Sequence, residues 1–183
     1  NVGTGGQSSV LSGTYFEAPG IESRPYIDGK YLLVGCSLCA GRSYAILEKF
    51  FRSYAIAAGA EDREQYSLME QLIQGADLHG DYMKVDTRFK GTRTDPSIRG
   101  SITNLSEDNF TPQSMILGLL TGMARELYDM YSLIYEGTGI RVKKLLGSGN
   151  GVRRNPVLQN IFSDMFGCPL QLSPFLEEAA SGA

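Results

Sequence analysis

The stretch Leu146-Gly147-Ser148-Gly149-Asn150-Gly151-Val152-Arg153-Arg154-Asn155 decides the fold class. Residues 141–146, just ahead of it, read as a strand. Asn155-Pro156, at its far end, opens a helix expected to run through Phe166 and to break at Gly167. Residues 169–172 then read as another short strand. A strand, a glycine turn, a helix and a strand make an α/β unit. Glycine in such a turn lets a ligand approach the backbone closely, and a helix N-terminus adds positive partial charge. A tight strand-to-helix connection would use the same glycines, so spacing leaves both readings open. The turn is not a P-loop, because no Gly-Lys-Ser/Thr follows. It is not a G-x-G-x-x-G fingerprint either, because position 152 is Val.

The same alternation extends outward. Residues 31–34 are a short apolar run that fits a buried strand. Residues 40–58 follow with helical spacing, where Tyr44, Leu47, Phe50, Phe51 and Tyr54 recur and Gly59 is a plausible stop. Residues 63–73 read as a second helix with Tyr66, Met69, Leu72 and Ile73 on one side, closed by Gly75. Residues 80–111 read as loops with one or two short strands, one of them over 82–85. Thr111-Pro112 is a strong helix start, with Thr as N-cap and Pro in the first turn. Met115, Leu119, Met123, Leu127, Met130 and Ile134 continue it as a core-facing stripe to about Tyr135, and Gly137 and Gly139 end it. A last helix is expected from about Pro174 to the end of the sequence.

The chain has 183 residues and reads as one domain. Its 42% hydrophobic and 20% charged residues are those of a soluble globular protein. A net charge of −3 argues against a nucleic-acid binder. Arg141, Lys143, Lys144 and Arg153, Arg154 are clusters too short to be a basic tract. No apolar run is long enough to cross a membrane as a helix, and no signal peptide is visible at the start. The absence of a starting Met and the Ala-Ala-Ser-Gly-Ala end suggest a piece of something longer. Cys36, Cys39 and Cys168 are an odd, scattered set. Cys36 and Cys39 form a C-x-x-C, but there is no second pair and His79 is the only histidine. They are read as buried small residues in a reduced, cytoplasmic protein.

A second glycine turn, Gly3-Thr4-Gly5-Gly6, opens the chain. Converging backbone N–H groups make a small anion-binding concavity there, and the Thr hydroxyl adds a donor. A flexible hairpin turn would look the same. Asp95, Asp108 and Asp164 have no partner that spacing reveals. The Ser-rich stretch over 7–12 has no suitably placed His. The residues alone show no self-contained catalytic constellation.

Taken in order, five stretches resemble the C-terminal half of the FGGY carbohydrate kinases, over nearly the whole chain. Val2-Gly3-Thr4-Gly5-Gly6 is similar to the family's second phosphate loop. Gly35-Cys36-Ser37-Leu38-Cys39-Ala40-Gly41 resembles the strand-to-helix turn beside the nucleotide. Gly91-Thr92-Arg93-Thr94-Asp95-Pro96-Ser97-Ile98-Arg99-Gly100 is similar to a family G-x-R-x-P…R-G segment, and Leu105, a Thr-Pro helix start and a long helix follow it. Gly147 to Asn155 with Pro156-Val157-Leu158-Gln159 resembles the adenosine loop. Glu178-Ala179-Ala180-Ser181-Gly182-Ala183 resembles the start of the closing helix. Gly147-Ser148-Gly149 with the Arg154-Asn155 pair looks most like the sedoheptulokinase branch, which acts on a seven-carbon ketose.

The resemblance implies an α/β, actin-like (ribonuclease H-like) ATPase lobe, a mixed sheet flanked by helices. It implies an N-terminal lobe of the same fold as partner, with ATP, Mg2+ on its phosphates, and a sugar in the cleft between the lobes. Residue by residue, Gly3, Thr4 and Gly5 would contact phosphate, Gly41 would pack against the nucleotide, and Gly149, Gly151 and Asn155 would line adenine and ribose. The general-base Asp and the first phosphate loop would lie upstream of residue 1, so no catalytic residue and no metal ligand is assigned within the chain. Two departures stand out. Ala45 occupies a position that is often polar in the family, and the adenosine loop is longer than usual, which makes both Gly149 and Gly151 candidates. An isolated lobe would expose the apolar surface that meets its partner, which leaves room for a homo-oligomer. A non-catalytic nucleotide-binding module on the same fold is the competing expectation.

Overall fold

The computed structural model describes residues 1–174; the expected closing helix and its family stretch at 178–183 lie outside the described residues. Three strands open the chain: β1 (Gly6–Ser12), β2 (Ile21–Pro25) and β3 (Tyr31–Ser37). They form one antiparallel sheet in the order β1-β3-β2, with Val10 opposite Leu33 and Ile21 opposite Gly35. β3 is the strand read from its apolar run, and it extends further than that run. β1 and β2 are additions. Their Ser, Gly, Glu and Pro residues are weak strand formers, and each is held by pairing to β3.

Next come α1 (Ala40–Ala57), α2 (Tyr66–Ile73), β4 (Lys84–Asp86), β5 (Ser101–Thr103) and α3 (Pro112–Thr138). β4 and β5 pair antiparallel. α3 is the central beam. Thr111 caps it by accepting from the Ser114 amide at 3.2 Å, Pro112 sits in its first turn, and Gly139 closes it at φ 72°. The expected stripe is wider than its spacing suggested. Ile116, Leu117, Leu120, Ala124 and Tyr131 are buried along with Leu119, Met123, Leu127 and Ile134. The cause is that α3 packs against helices α1 and α2, against β4, and against β1 and β3. Gly137 lies inside the helix rather than ending it, and Phe16 occupies the space a side chain there would need.

The last described elements are β6 (Leu145–Gly147), α4 (Asn150–Arg153), α5 (Pro156–Phe166) and β7 (Leu170–Leu172). β6 and β7 pair parallel. α5 begins and ends as expected, with Asn155 as cap and Gly167 at φ 62°. The strand expected over 141–146 is realised only at its end. Arg141 instead lies over the Tyr135 ring, and the Val142 amide donates to Tyr131 Oη at 3.1 Å, so this segment crosses α3. The second helix starts at Tyr66 rather than at 63, because the Gln65 amide is taken by Glu48 Oε1 at 3.0 Å. On α1, Leu47 is buried, but Phe50 and Tyr54 stand in solvent at 61% and 74% exposure.

Val2 ties the antiparallel sheet to the parallel pair. Its amide donates to the Ser148 carbonyl and its carbonyl accepts from the Gly151 amide, both at 2.9 Å. Val2 is 2% exposed and belongs to the main core with Leu47, Leu127 and Leu158. The two glycine turns, far apart in sequence, are thereby adjacent in space.

Candidate functional site

The opening turn rests on the start of α1. The Gly41 amide donates to the Gly3 carbonyl and the Arg42 amide to the Thr4 carbonyl, each at 3.0 Å. The first amides of a helix lack intrahelical partners, and Cys39 at the cap position supplies no side-chain acceptor. The turn's carbonyls satisfy them instead. Its own amides at Thr4 and Gly5, and the Thr4 hydroxyl, take no partner among the described residues. An anion could be met there.

Gly41 has to be glycine for this seat, since a Cβ would collide with the Gly3 carbonyl oxygen. Gly149 has φ 86° and ψ 155°, and a Cβ there would fall 2.5 Å from the Val2 carbonyl oxygen. Gly151 is pressed against the Val2 side chain. Both glycines of the longer loop are therefore fixed by the same neighbour. The helix that begins in the turn is the four-residue α4, so close backbone approach, not a long helix dipole, is what this loop offers.

One cleft of about 1120 Å³ collects these parts. Gly3, Thr4, Gly41, Gly149, Gly151 and Asn155 all line it. Gly5 does not; it sits behind, against the Ser37 carbonyl, and accepts from the Gly3 amide at 2.9 Å. Asn155 is 6% exposed, and its Oδ1 caps α5 by accepting from the Leu158 amide at 2.9 Å. Ala45 lines the cleft without a polar atom to offer.

The cleft also holds residues that were not assigned from the sequence. Arg42, Lys49 and Arg154 supply positive charge, and Glu64 and Glu70 carry the negative charge near α2. Tyr44 and Tyr66 are stacked, with ring centroids 5.8 Å apart and planes 23° apart. Burial pushes the Tyr44 phenol above its ordinary range, with Glu70 and Tyr66 adding to the shift. In the sequence both tyrosines stand out only as members of apolar helical repeats. A charged residue at 48 on the inner side of α1 was the available signal, since Glu48 (3% exposed) is what brings α2 alongside.

Among the described residues no group of three His, Cys, Asp or Glu side chains could hold a metal ion. The end of the cleft at Gly3 and Thr4 offers a hydroxyl and backbone amides, not carboxylates. Those donors suit phosphate oxygens, so a divalent ion would have to arrive on the phosphates. Cys36 and Cys39 are free thiols, and burial raises the Cys39 thiol above its ordinary range. No helix among the described residues is long and apolar enough to cross a membrane.

The description "FGGY family of carbohydrate kinases, C-terminal domain" matches the chain over residues 1–183. The chain belongs to the FGGY family of carbohydrate kinases. Human sedoheptulokinase is 26% identical over 162 residues, which is 87% of this chain and 33% of that protein. Glycerol kinase 1 of Clostridium tetani is 33% identical over 89 residues, or 49% of this chain and 18% of that protein. A crystal structure of xylulose kinase from Bifidobacterium adolescentis superposes with a TM-score of 0.78 at 18% identity, covering 100% of this chain and 34% of that one. Plasmodium falciparum glycerol kinase with ADP gives the same score and identity, covering 99% and 36%. The fold is thus the α/β, actin-like lobe of FGGY kinases. The chain spans about a third of the length of the relatives it matches.

Proposed function

We propose that the full-length protein phosphorylates a sugar hydroxyl with ATP and that this chain supplies the nucleotide-binding half of the cleft. The observation that carries the reading is the convergence of Gly3, Thr4, Gly41, Gly149, Gly151 and Asn155 on one cleft, in a member of a carbohydrate-kinase family. The sugar is a ketose such as sedoheptulose. The Gly147-Ser148-Gly149 turn with its Arg154-Asn155 pair, and the likeness to human sedoheptulokinase over 87% of the chain, favour it.

Phosphoryl transfer needs positioning and charge neutralisation more than covalent help. A carboxylate outside this chain would take the proton of the sugar hydroxyl. That oxygen would attack the γ-phosphorus, and the bond to ADP would break. The Thr4 amide and the Thr4 hydroxyl would donate to the phosphoryl oxygens. Gly41, Gly149 and Gly151 would let the backbone lie close to the nucleoside. Mg2+ bound to the phosphates would neutralise their charge. Packing of an N-terminal lobe over the cleft would exclude water.

The test is ADP release by the full-length protein with sedoheptulose, xylulose, ribulose, rhamnulose, gluconate and glycerol. Selective turnover of sedoheptulose is the expected result. Turnover of another sugar would keep the kinase and replace the substrate. ATP binding with no stimulation by any of them would favour the non-catalytic nucleotide module.

A further inference from the structure

Tyr44 and Tyr66 come from different helices and are brought together by the Glu48–Gln65 contact. Their rings are nearly parallel and both line the cleft. Tyr44 Oη is buried and makes no hydrogen bond among the described residues. A buried hydroxyl without a partner is a cost to the fold, so the ring is what this position uses. A Phe would give the same packing more cheaply.

Their place along the cleft is telling. Gly41 marks the end where the Gly3–Thr4 turn sits. Glu48, which anchors the start of α2, lies two helical turns on, about 10 Å further along α1. Tyr44 stands one helical turn, about 4.5 Å, along α1 from Gly41, and Tyr66, which follows the Gln65 held by Glu48, continues the aromatic surface along the cleft from the phosphate-binding donors. The Gly149–Gly151 turn lines the same cleft, and its two glycines are packed on Val2, which sets that stretch of backbone beside whatever the cleft holds. Stacking on an aromatic side chain is worth about 1–3 kcal/mol per base.

We propose that Tyr66, backed by Tyr44, is the platform on which the base of the bound nucleotide stacks. Tyr66 is the base-binding residue and Tyr44 its positioning residue. The inference rests on the nucleotide reading of the cleft and adds to it the residues that recognise the base.

The experiment is calorimetric titration of the full-length protein and its Tyr66→Ala, Tyr66→Phe and Tyr44→Phe variants with MgATP and with Mg-tripolyphosphate, which lacks a base. Tyr66→Ala is expected to weaken MgATP about 5- to 150-fold and to leave tripolyphosphate unchanged. Tyr66→Phe keeps wild-type affinity for both. Tyr44→Phe keeps ATP affinity and raises the melting temperature without ligand, because the orphan hydroxyl is gone. Wild-type ATP affinity in Tyr66→Ala would overturn the platform. So would an equal loss for ATP and tripolyphosphate, which would mark a folding defect. Failure of the wild-type protein to bind MgATP at all would overturn the nucleotide reading itself, and the platform with it.

Discussion

Glu126 Oε2 accepts a hydrogen bond from Ser37 Oγ at 2.8 Å, joining the middle of α3 to the end of β3. Ser37 Oγ in turn accepts from the Cys39 amide at 3.3 Å, and Thr87 Oγ1 donates to the same carboxylate oxygen at 3.2 Å. One carboxylate therefore braces the turn that leads into α1. It lines a second cavity of about 510 Å³ with Asp86, Arg88 and Asp129. Burial raises its pKa above the ordinary carboxylate range; the bonds from Ser37 and Thr87 oppose the shift, Asp86 adds to it and Arg88 opposes it.

That shift has a sign. A carboxyl whose pKa is higher folded than unfolded binds more protons in the folded state between the two values. Its contribution to stability therefore falls as pH rises through that window and recovers on acidification. Asp86 behaves oppositely, because its bond to Arg88 lowers its pKa and its contribution is lost as pH falls. Comparing the wild type with Glu126→Gln isolates Glu126. The melting temperature of Glu126→Gln relative to wild type is expected to be highest near neutral pH and to decline toward the ordinary carboxylate range. Glu126→Ala leaves the Ser37 and Thr87 hydroxyls without the acceptor they donate to and is expected to lose ~1–3 kcal/mol. A pH-independent difference between wild type and Glu126→Gln would contradict the shift.

Gly41→Ala tests the seat between the opening turn and α1. The added methyl meets the Gly3 carbonyl oxygen, a backbone atom that cannot swing aside. Overpacking of this kind costs ~1–3 kcal/mol. The melting temperature should fall, and the KM for ATP should rise because Gly3 and Thr4 shift together. A variant that keeps both values would show that the seat has slack.

Much of the frame was legible because punctuation residues fix it locally. Thr111-Pro112 and Gly139 set α3, and Asn155-Pro156 and Gly167 set α5. β1 and β2 were not legible, because Gly6, Ser8, Ser9 and Pro25 carry little strand preference and only the ladder to β3 makes them strands. The glycines of the site were readable as turns. Their meeting was not, because it depends on Val2 bonding to Ser148 and Gly151 across the chain. Tyr66 and Glu70 reach the cleft through the Glu48–Gln65 contact between α1 and α2, of which the sequence shows only a charged residue on the inner side of α1 and not its partner. The resemblance to the family added the order of the parts, and the structure placed Gly5 behind the cleft.

Thr4→Ala and Thr4→Ser separate the hydroxyl from the turn. Thr4 is exposed, and its hydroxyl makes no hydrogen bond among the described residues, so stability should change little. If the hydroxyl donates to the transferring phosphoryl group, Thr4→Ala should lower kcat by about 10²-fold or more, while Thr4→Ser should retain most of it. Steady-state ADP release measures both. Equal kcat in Thr4→Ala and wild type would leave the backbone amides as the turn's contribution.

Asn155 has one visible duty and one proposed duty, and two substitutions divide them. Its Oδ1 accepts from the Leu158 amide, so Asn155→Ala removes the cap of α5 and should lose ~1 kcal/mol. Asn155→Asp keeps an acceptor at the cap and adds negative charge at a helix start, where it is favoured. It also removes the amide donor that would face the nucleoside. Asn155→Asp should therefore match the wild type in melting temperature without ligand and bind ATP more weakly. If Asn155→Asp binds ATP as the wild type does, the residue serves α5 alone, and the loop's part in binding rests on Gly149 and Gly151.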